Sequence, residues 1–173
     1  MAQTSRRWAQ LTPIFRDFVL NQSASAHIVP AKIRGAILRR GGHSISKTSW
    51  INPKCFFGSF DGLHLGENTF VNYGCFFDLG AETFIGSNCN IGYQVMFVTC
   101  SHTPGAKERR AGKSQNMPIH VGDGVWIGAR ANIMPGVTIG DGCIIAANSL
   151  VLNDCQPNGL YAGIPAKLVR YLE

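Results

Sequence analysis

Residues 121–151 read VGDGVWIGARANIMPGVTIGDGCIIAANSLV, and every sixth residue of the stretch is apolar: Val121, Ile127, Ile133, Ile139, Ile145 and Val151. Leu, Ile, Val and Phe make up about a quarter of the chain, so six consecutive hits in a fixed register would arise by chance roughly once in several thousand trials. The register is therefore a structural repeat. The same step runs through the preceding block, as Leu65, Val71 and Phe77 and then, after a two-residue slip, Leu79, Ile85, Ile91 and Phe97. The position after the apolar residue is often glycine (Gly66, Gly80, Gly86, Gly92, Gly122, Gly128, Gly140), which suits a chain that turns a corner every few residues. Four positions on, the residue is mostly small or β-branched, as at Cys75, Cys89, Val95, Val125, Ala131, Val137, Cys143 and Ser149. One hexapeptide thus supplies one short strand and one corner. Three close a triangular coil, and stacked coils bury a column that no single coil could bury alone.

From about Gly58 onward the chain resembles the hexapeptide-repeat acetyltransferases, within them the maltose, galactoside and nodulation-factor O-acetyltransferase group and its capsular-polysaccharide relatives. The ordered motifs VNYGCFFD, IGYQVMFVTCSH, VGDGVWIGA, IMPGVTIGDG and YAGIPAK carry the resemblance. It implies an all-β fold, a left-handed parallel β-helix of hexapeptide repeats with a short helical N-terminal segment and one protruding loop. Three such prisms pack about a threefold axis in the family, so a homotrimer is expected, with each site built from two neighbours.

Residues 1–50 are expected to form the helical segment, 51–155 the β-helix with its loop at 102–120, and 156–173 a tail that contacts coenzyme. In the first segment Trp8, Leu11, Phe15, Phe18 and Val19 recur at helical spacing, while Ile33, Ile37 and Leu38 indicate a second short helix. Pro30 can start that helix and Gly41-Gly42 can end it. Six cysteines occur without a CxxC pair or a secretory signal, so they read as reduced, and repeat packing accounts for Cys75, Cys89 and Cys143. Apolar runs are far shorter than the roughly 20 residues of a membrane span, so no integral membrane segment is expected and the default compartment is the cytoplasm. The net charge of +6 comes partly from two clusters, Arg34, Arg39 and Arg40 before the repeats and Lys107, Arg109, Arg110 and Lys113 in mid-chain. Solvated surface charge is the bland reading of both. No zinc-finger, RNP or helix-turn-helix signature accompanies them, which argues against a nucleic-acid partner.

The six-residue register breaks after Phe97 and resumes at Val121, and the interruption opens with SHTPG. A long interruption on a rigid scaffold is a candidate functional loop, and His102 stands at its root. Acetyl transfer to an alcohol needs a group that takes the hydroxyl proton, a task suited to imidazole. The resemblance makes His102 the general base and Asn72 its partner at the acceptor hydroxyl. The family acid of the acceptor site aligns with Gly80, so Asp78, two residues earlier, is the candidate acceptor contact together with Arg109 of the loop. Acetyl-CoA is the implied donor, with Trp126, Ala129, Ala147 and Lys167 as candidate coenzyme contacts. The Ala129 N–H is the candidate oxyanion donor and Lys167 the cation near the nucleotide phosphates. Leu152 and Asn153 stand where relatives often carry Thr and Lys.

No metal is required by this chemistry. A zinc carbonic anhydrase on the same fold would need a three-histidine site, and His27, His43, His64, His102 and His120 show no paired motif. The leading expectation is O-acetylation of a sugar, glycan or other hydroxylated small molecule. The alternative enzyme is an N-acyltransferase acting on an amino sugar or nucleotide sugar, and the non-enzymatic alternative is a catalytically silent scaffold.

Overall fold

Residues 13–173 are described by a computed structural model; Trp8 and Leu11 lie outside them. Helix α1 (Pro13–Arg16) runs into a π-helical segment (Asp17–Ala24), and helix α2 (Ala31–Gly41) follows. Pro30 caps the start of α2, and Gly42 ends it at φ +128°, a conformation that a side chain resists. Two leucines, Leu20 and Leu38, carry the buried face of this cap. Arg34 is buried as well. Its guanidinium donates to the carbonyls of Ala24 (2.8 Å), Ile51 (2.8 Å), Ala26 (2.9 Å) and Val29 (2.7 Å), so it ties α2 to the first coil instead of joining Arg39 and Arg40 as surface charge.

Coil one begins at Ser44, inside the stretch assigned to the helical segment. It comprises β1 (Ser44–Ile45), β2 (Trp50–Ile51) and β3 (Phe56–Phe57). Coil two has β4 (Leu63–Leu65), β5 (Phe70–Val71) and β6 (Phe76–Phe77), and coil three β7 (Thr83–Ile85), β8 (Asn90–Ile91) and β9 (Met96–Phe97). A hairpin of β10 (Cys100–Pro104) and β11 (Ala111–Asn116) interrupts the winding. Coil four then has β12 (Ile119–Val121), β13 (Trp126–Ile127) and β14 (Asn132–Ile133), and coil five β15 (Thr138–Ile139), β16 (Ile144–Ile145) and β17 (Leu150–Val151). A sixth turn starts with Cys155 bridging to Ile139 and closes the prism with β18 (Gly159–Gly163) and the antiparallel β19 (Ala166–Tyr171).

The prism has three parallel faces. Sheet A holds β1, β4, β7, β12 and β15; sheet B holds β2, β5, β8, β13, β16 and β18, with β19 on its edge; sheet C holds β3, β6, β9, β14 and β17. This is the left-handed parallel β-helix. Ile45, Leu65 and Ile85 stack on one inner face and Phe57, Phe77 and Phe97 on another, the last three with ring centroids 5.6 and 5.1 Å apart. The cysteines at the small position of the repeat, Cys55, Cys75, Cys89, Cys143 and Cys155, are all buried thiols. Leu79 is not in the inner column: it lies in a corner at φ +58°, and the column resumes at Ile85.

The corner glycines have a different cause from the one their spacing suggests. Left-handed φ falls three residues after the inner residue, at Asn68, Gly74, Asn88, Gln94, Gly124, Arg130, Gly136, Gly142 and Asn148. The glycines one residue after it are required by stacking. A Cβ on Gly66 would lie 2.6 Å from the Gly86 carbonyl carbon, and one on Gly128 2.5 Å from the Ala147 nitrogen. Neighbouring coils touch backbone to backbone there.

Candidate functional site

The corner that joins sheet C to sheet A is the one that varies. In coils one and two it holds two residues more than the six-residue step, since Phe57 is followed by Leu65 and Phe77 by Ile85; after Ile133 the step to Ile139 is the plain six. After Phe97 the same corner swells into the β10–β11 hairpin. The interruption is thus an ordered antiparallel arm, pairing Cys100 with Asn116, Ser101 with Gln115 and His102 with Ser114, and it ends before Ile119, which already lies in sheet A. His102 is exposed at the root of this arm.

Asp78 anchors the root. One of its carboxylate oxygens accepts the backbone N–H of Thr99 (3.1 Å) and of Cys100 (2.8 Å), along with the Thr99 hydroxyl (3.4 Å). That oxygen is committed to the chain leading to His102, so Asp78 holds the root of the arm, and its other oxygen is left free of these bonds. The Gly80 site is crossed by the Cys100 thiol, which stands where a Cβ would be. Burial and the neighbouring Asp78 carboxylate push the Cys100 thiol up, which keeps it protonated and un-nucleophilic. Arg109 lies at the tip of the arm, exposed.

Asn72 belongs to another edge, the corner between sheets B and C. Its side-chain oxygen accepts from Asn52 Nδ2 (3.3 Å) and from the Tyr73 N–H (3.0 Å), and Asn52 Oδ1 in turn accepts the Trp50 indole N–H (3.1 Å). With its oxygen occupied twice, Asn72 can offer only its Nδ2 donors outward. Asn52 and Trp50 were missed in the sequence because coil one was not recognised. The available signal was the step of twenty residues that separates Asn52 from Asn72, Ile51 from Val71 and Ile45 from Leu65.

Further up this B–C edge, Tyr73 and Tyr93 stack with centroids 6.1 Å apart, and the equivalent positions above them are Ala129 and Ala147. The change from tyrosine to alanine bares the backbone. Among the described residues neither the Ala129 nor the Ala147 N–H has an acceptor, whereas the residues after them donate from Arg130 to Tyr93 (2.8 Å) and from Asn148 to Ala129 (2.9 Å). Trp126 projects from the outer face of sheet B between Asn90 and Ile144, 56% exposed. Lys167 is exposed on β19 opposite Ala162, on the same side of the prism.

The candidate residues therefore fall into two sets. Asn72, Ala129 and Ala147 share the B–C edge, with Trp126 and Lys167 on the adjoining sheet B; His102, Asp78 and Arg109 belong to the C–A corner. Asn72 and Asp78 are six residues and one whole face apart, up to about 20 Å along an extended strand. One chain does not bring the two sets together.

Residues 118–153 match the family model described as bacterial transferase hexapeptide (six repeats). Over 146 residues the chain is 30% identical to galactoside O-acetyltransferase of Escherichia coli (strain K12), an overlap of 83% of this chain and 72% of that one. The chain belongs to the hexapeptide-repeat acetyltransferases. A solved galactoside acetyltransferase in complex with coenzyme A superposes with a TM-score of 0.81 at 28% identity, covering 92% of this chain and 80% of that one. A hexapeptide-repeat acetyltransferase from Vibrio cholerae O1 biovar eltor, complexed with acetyl coenzyme A, gives a TM-score of 0.78 at 33% identity over 99% of this chain and 88% of that one. Membership makes the chain an acyltransferase. Among the described residues, no group of three His, Cys, Asp or Glu side chains is arranged to hold a metal ion, and no helix is long and apolar enough to cross a membrane.

Proposed function

We propose that this chain transfers the acetyl group of acetyl-CoA to a hydroxyl of a sugar, glycan or other hydroxylated small molecule, at sites shared between the subunits of a homotrimer. The observation that carries the reading is the exposed His102 on an arm whose root is held by Asp78. In this reading the His102 imidazole takes the hydroxyl proton as the acceptor oxygen forms its bond to the thioester carbonyl carbon. Asn72 donates from Nδ2 to the acceptor oxygen and holds it in line. Charge that develops on the carbonyl oxygen meets the unpaired Ala129 N–H, and the departing thiolate of coenzyme A recovers the proton from His102. The free N–H of Ala147 and the Lys167 ammonium suit the pantetheine arm and the phosphates, lysine acting there as a point charge. Leu152 and Asn153 supply no hydroxyl or cation beside them.

The trimer is supported by the separation of the two candidate sets. If the B–C edge of one subunit meets the C–A corner of the next, base, hydroxyl-orienting amide and oxyanion donor converge, and threefold closure gives three equivalent sites. A single mixing experiment tests both parts. His102→Ala and Asn72→Ala chains are each expected to lose about a hundredfold or more in turnover, read as acetyl-CoA-dependent release of thiol with a hydroxylated acceptor. Co-refolded together they should regain part of the activity, in mixed trimers holding one intact site. An unchanged turnover for His102→Ala sinks the base assignment, and absence of rescue sinks the shared site.

A further inference from the structure

The hairpin arm carries a charge that the chain's own acids do not balance, although the Arg110 guanidinium also donates to the Gly105 carbonyl (3.4 Å). Residues 100–116 hold Lys107, Arg109, Arg110 and Lys113 against one acid, Glu108, so one tenth of the chain supplies half of its net charge of +6. Three of the cations crowd into the four residues 107–110, where like charges repel. Little within the chain offsets that repulsion. Lys107 approaches Glu108 at 3.9 Å with both side chains more than two-thirds exposed, a contact worth next to nothing. Among the described residues no carboxylate pairs with Arg109, Arg110 or Lys113.

The tip is nevertheless ordered. Gly105 N–H donates to the Arg110 carbonyl (2.9 Å) and Arg109 N–H to the Ala106 carbonyl (3.0 Å), while Gly112 packs so closely that a Cβ there would lie 2.6 Å from the Thr103 carbonyl oxygen. The cations are thus held in place on a stiff turn. Lys113 stands beside Ser114, the partner of His102, while the three tip cations begin at Arg110, just past the Pro104–Ala111 pair and on the order of 10 Å from the imidazole. At that distance they can meet a group next to the reacting hydroxyl, not the hydroxyl itself.

We infer that the arm selects an anionic carbohydrate acceptor, one whose negative group sits a sugar unit away from the hydroxyl that is acetylated. This rests on the O-acetyltransferase reading of the His102 site and specifies its substrate class. The shared chemistry is an oxyanion that an arginine fork can bind, from either the carboxylate of an acidic sugar in a glycan or the diphosphate of a sugar nucleotide. Such steering also makes acceptor capture sensitive to salt, because the exposed cations act over a screening length of about 8 Å at physiological ionic strength.

Calorimetric binding to the full-length protein, saturated beforehand with coenzyme A, tests the inference apart from catalysis. The probes are a tetragalacturonate, its fully methyl-esterified and hence neutral counterpart, and UDP-glucose. At least one anion should bind about tenfold or more tightly than the neutral ester, lose that advantage at about 0.5 M salt, and lose it in Arg109→Glu/Arg110→Glu while coenzyme A affinity is unchanged. Tighter binding of tetragalacturonate assigns the charge to a glycan carboxylate, and tighter binding of UDP-glucose to the diphosphate. No preference for either anion, or a double variant that weakens coenzyme A instead, overturns the inference. His102→Ala should keep the anion preference, so a failure of acetyl transfer alone would count against the catalytic reading and leave the arm's role standing.

Discussion

The first three coils and the last two are built on the same inner column but wind differently. Ile45 pairs with Leu65 and Leu65 with Ile85, a step of twenty residues; Val121 pairs with Ile139, a step of eighteen. The entire difference lies in the corner between sheets C and A, which is slack in the wide coils and tight in the narrow ones. Where the corner is tight, the four residues Met134–Pro135–Gly136–Val137 carry the chain directly from β14 to β15. Where it is slack, side chains such as Asp78 turn outward and hold an arm in place. The narrow half bears the Ala129 and Ala147 N–H groups on its B–C edge, and the wide half ends in the arm that carries His102.

The largest expected effect comes from filling a contact between the two narrow coils, at the B–C edge that both halves share. Gly128→Val places a branched side chain against the Ala147 backbone, which has no free space and cannot rotate away. Unfolding free energy should fall by on the order of 4 kcal/mol in urea denaturation. A loss below about 1 kcal/mol would show that the coils are not in backbone contact there.

The next effect belongs to the wide end. His43 is buried beneath coil one, its ring 5.4 Å from Phe57 and its Nδ1 accepting the Leu63 N–H (3.3 Å), while Nε2 has no partner. Burial holds the imidazole down to about 4, well below its usual range. The unfolded chain therefore binds the extra proton first, and stability is fully present above about pH 6.5 and declines as pH falls toward 4. The decline attributable to this group should total about 3 kcal/mol. Denaturation of the protein and of His43→Phe at pH 7 and pH 4.5 isolates it, and identical pH slopes for the two would remove His43 as the cause.

The smallest effect sharpens the role of the slack corner itself. Asp78→Ala frees the Thr99 and Cys100 N–H groups and should lower turnover about tenfold through loss of His102 placement, with coenzyme A affinity unchanged. Asp78→Asn keeps an acceptor oxygen and should recover most of that loss. Equal defects in the two variants would mean that the negative charge matters and the anchoring does not.

The same contrast explains what could be read in the sequence. The narrow half was legible throughout, because Val121, Ile127, Ile133, Ile139, Ile145 and Val151 obey an unbroken six-residue step and are all buried. The wide half obscures that step: two extra residues per turn give the corner residue Leu79 the look of a column residue, and coil one is masked by the same slack although Ile45, Ile51 and Phe57 keep the register. The individual site candidates could be named, since His102 and Asn72 stand in recognisable motifs. Their placement on different edges could not, because it depends on which corner each residue follows. The hairpin left little signal too, its strands being polar and held by backbone pairing. The hold of Asp78 on Cys100 spans 22 residues and has no local signature.

One corner of this prism accepts six, eight or twenty-four residues between successive inner positions while the three faces keep their pairing. The entropy of closing an excursion grows only with the logarithm of its length. That corner is therefore a socket: arms of different length and charge can be exchanged there as modules, and the opposite edge, with its bare backbone N–H groups, need not change. If the arm selects the acceptor as inferred above, rewriting residues 103–113, beyond His102, would retarget the molecule without touching the faces of the prism.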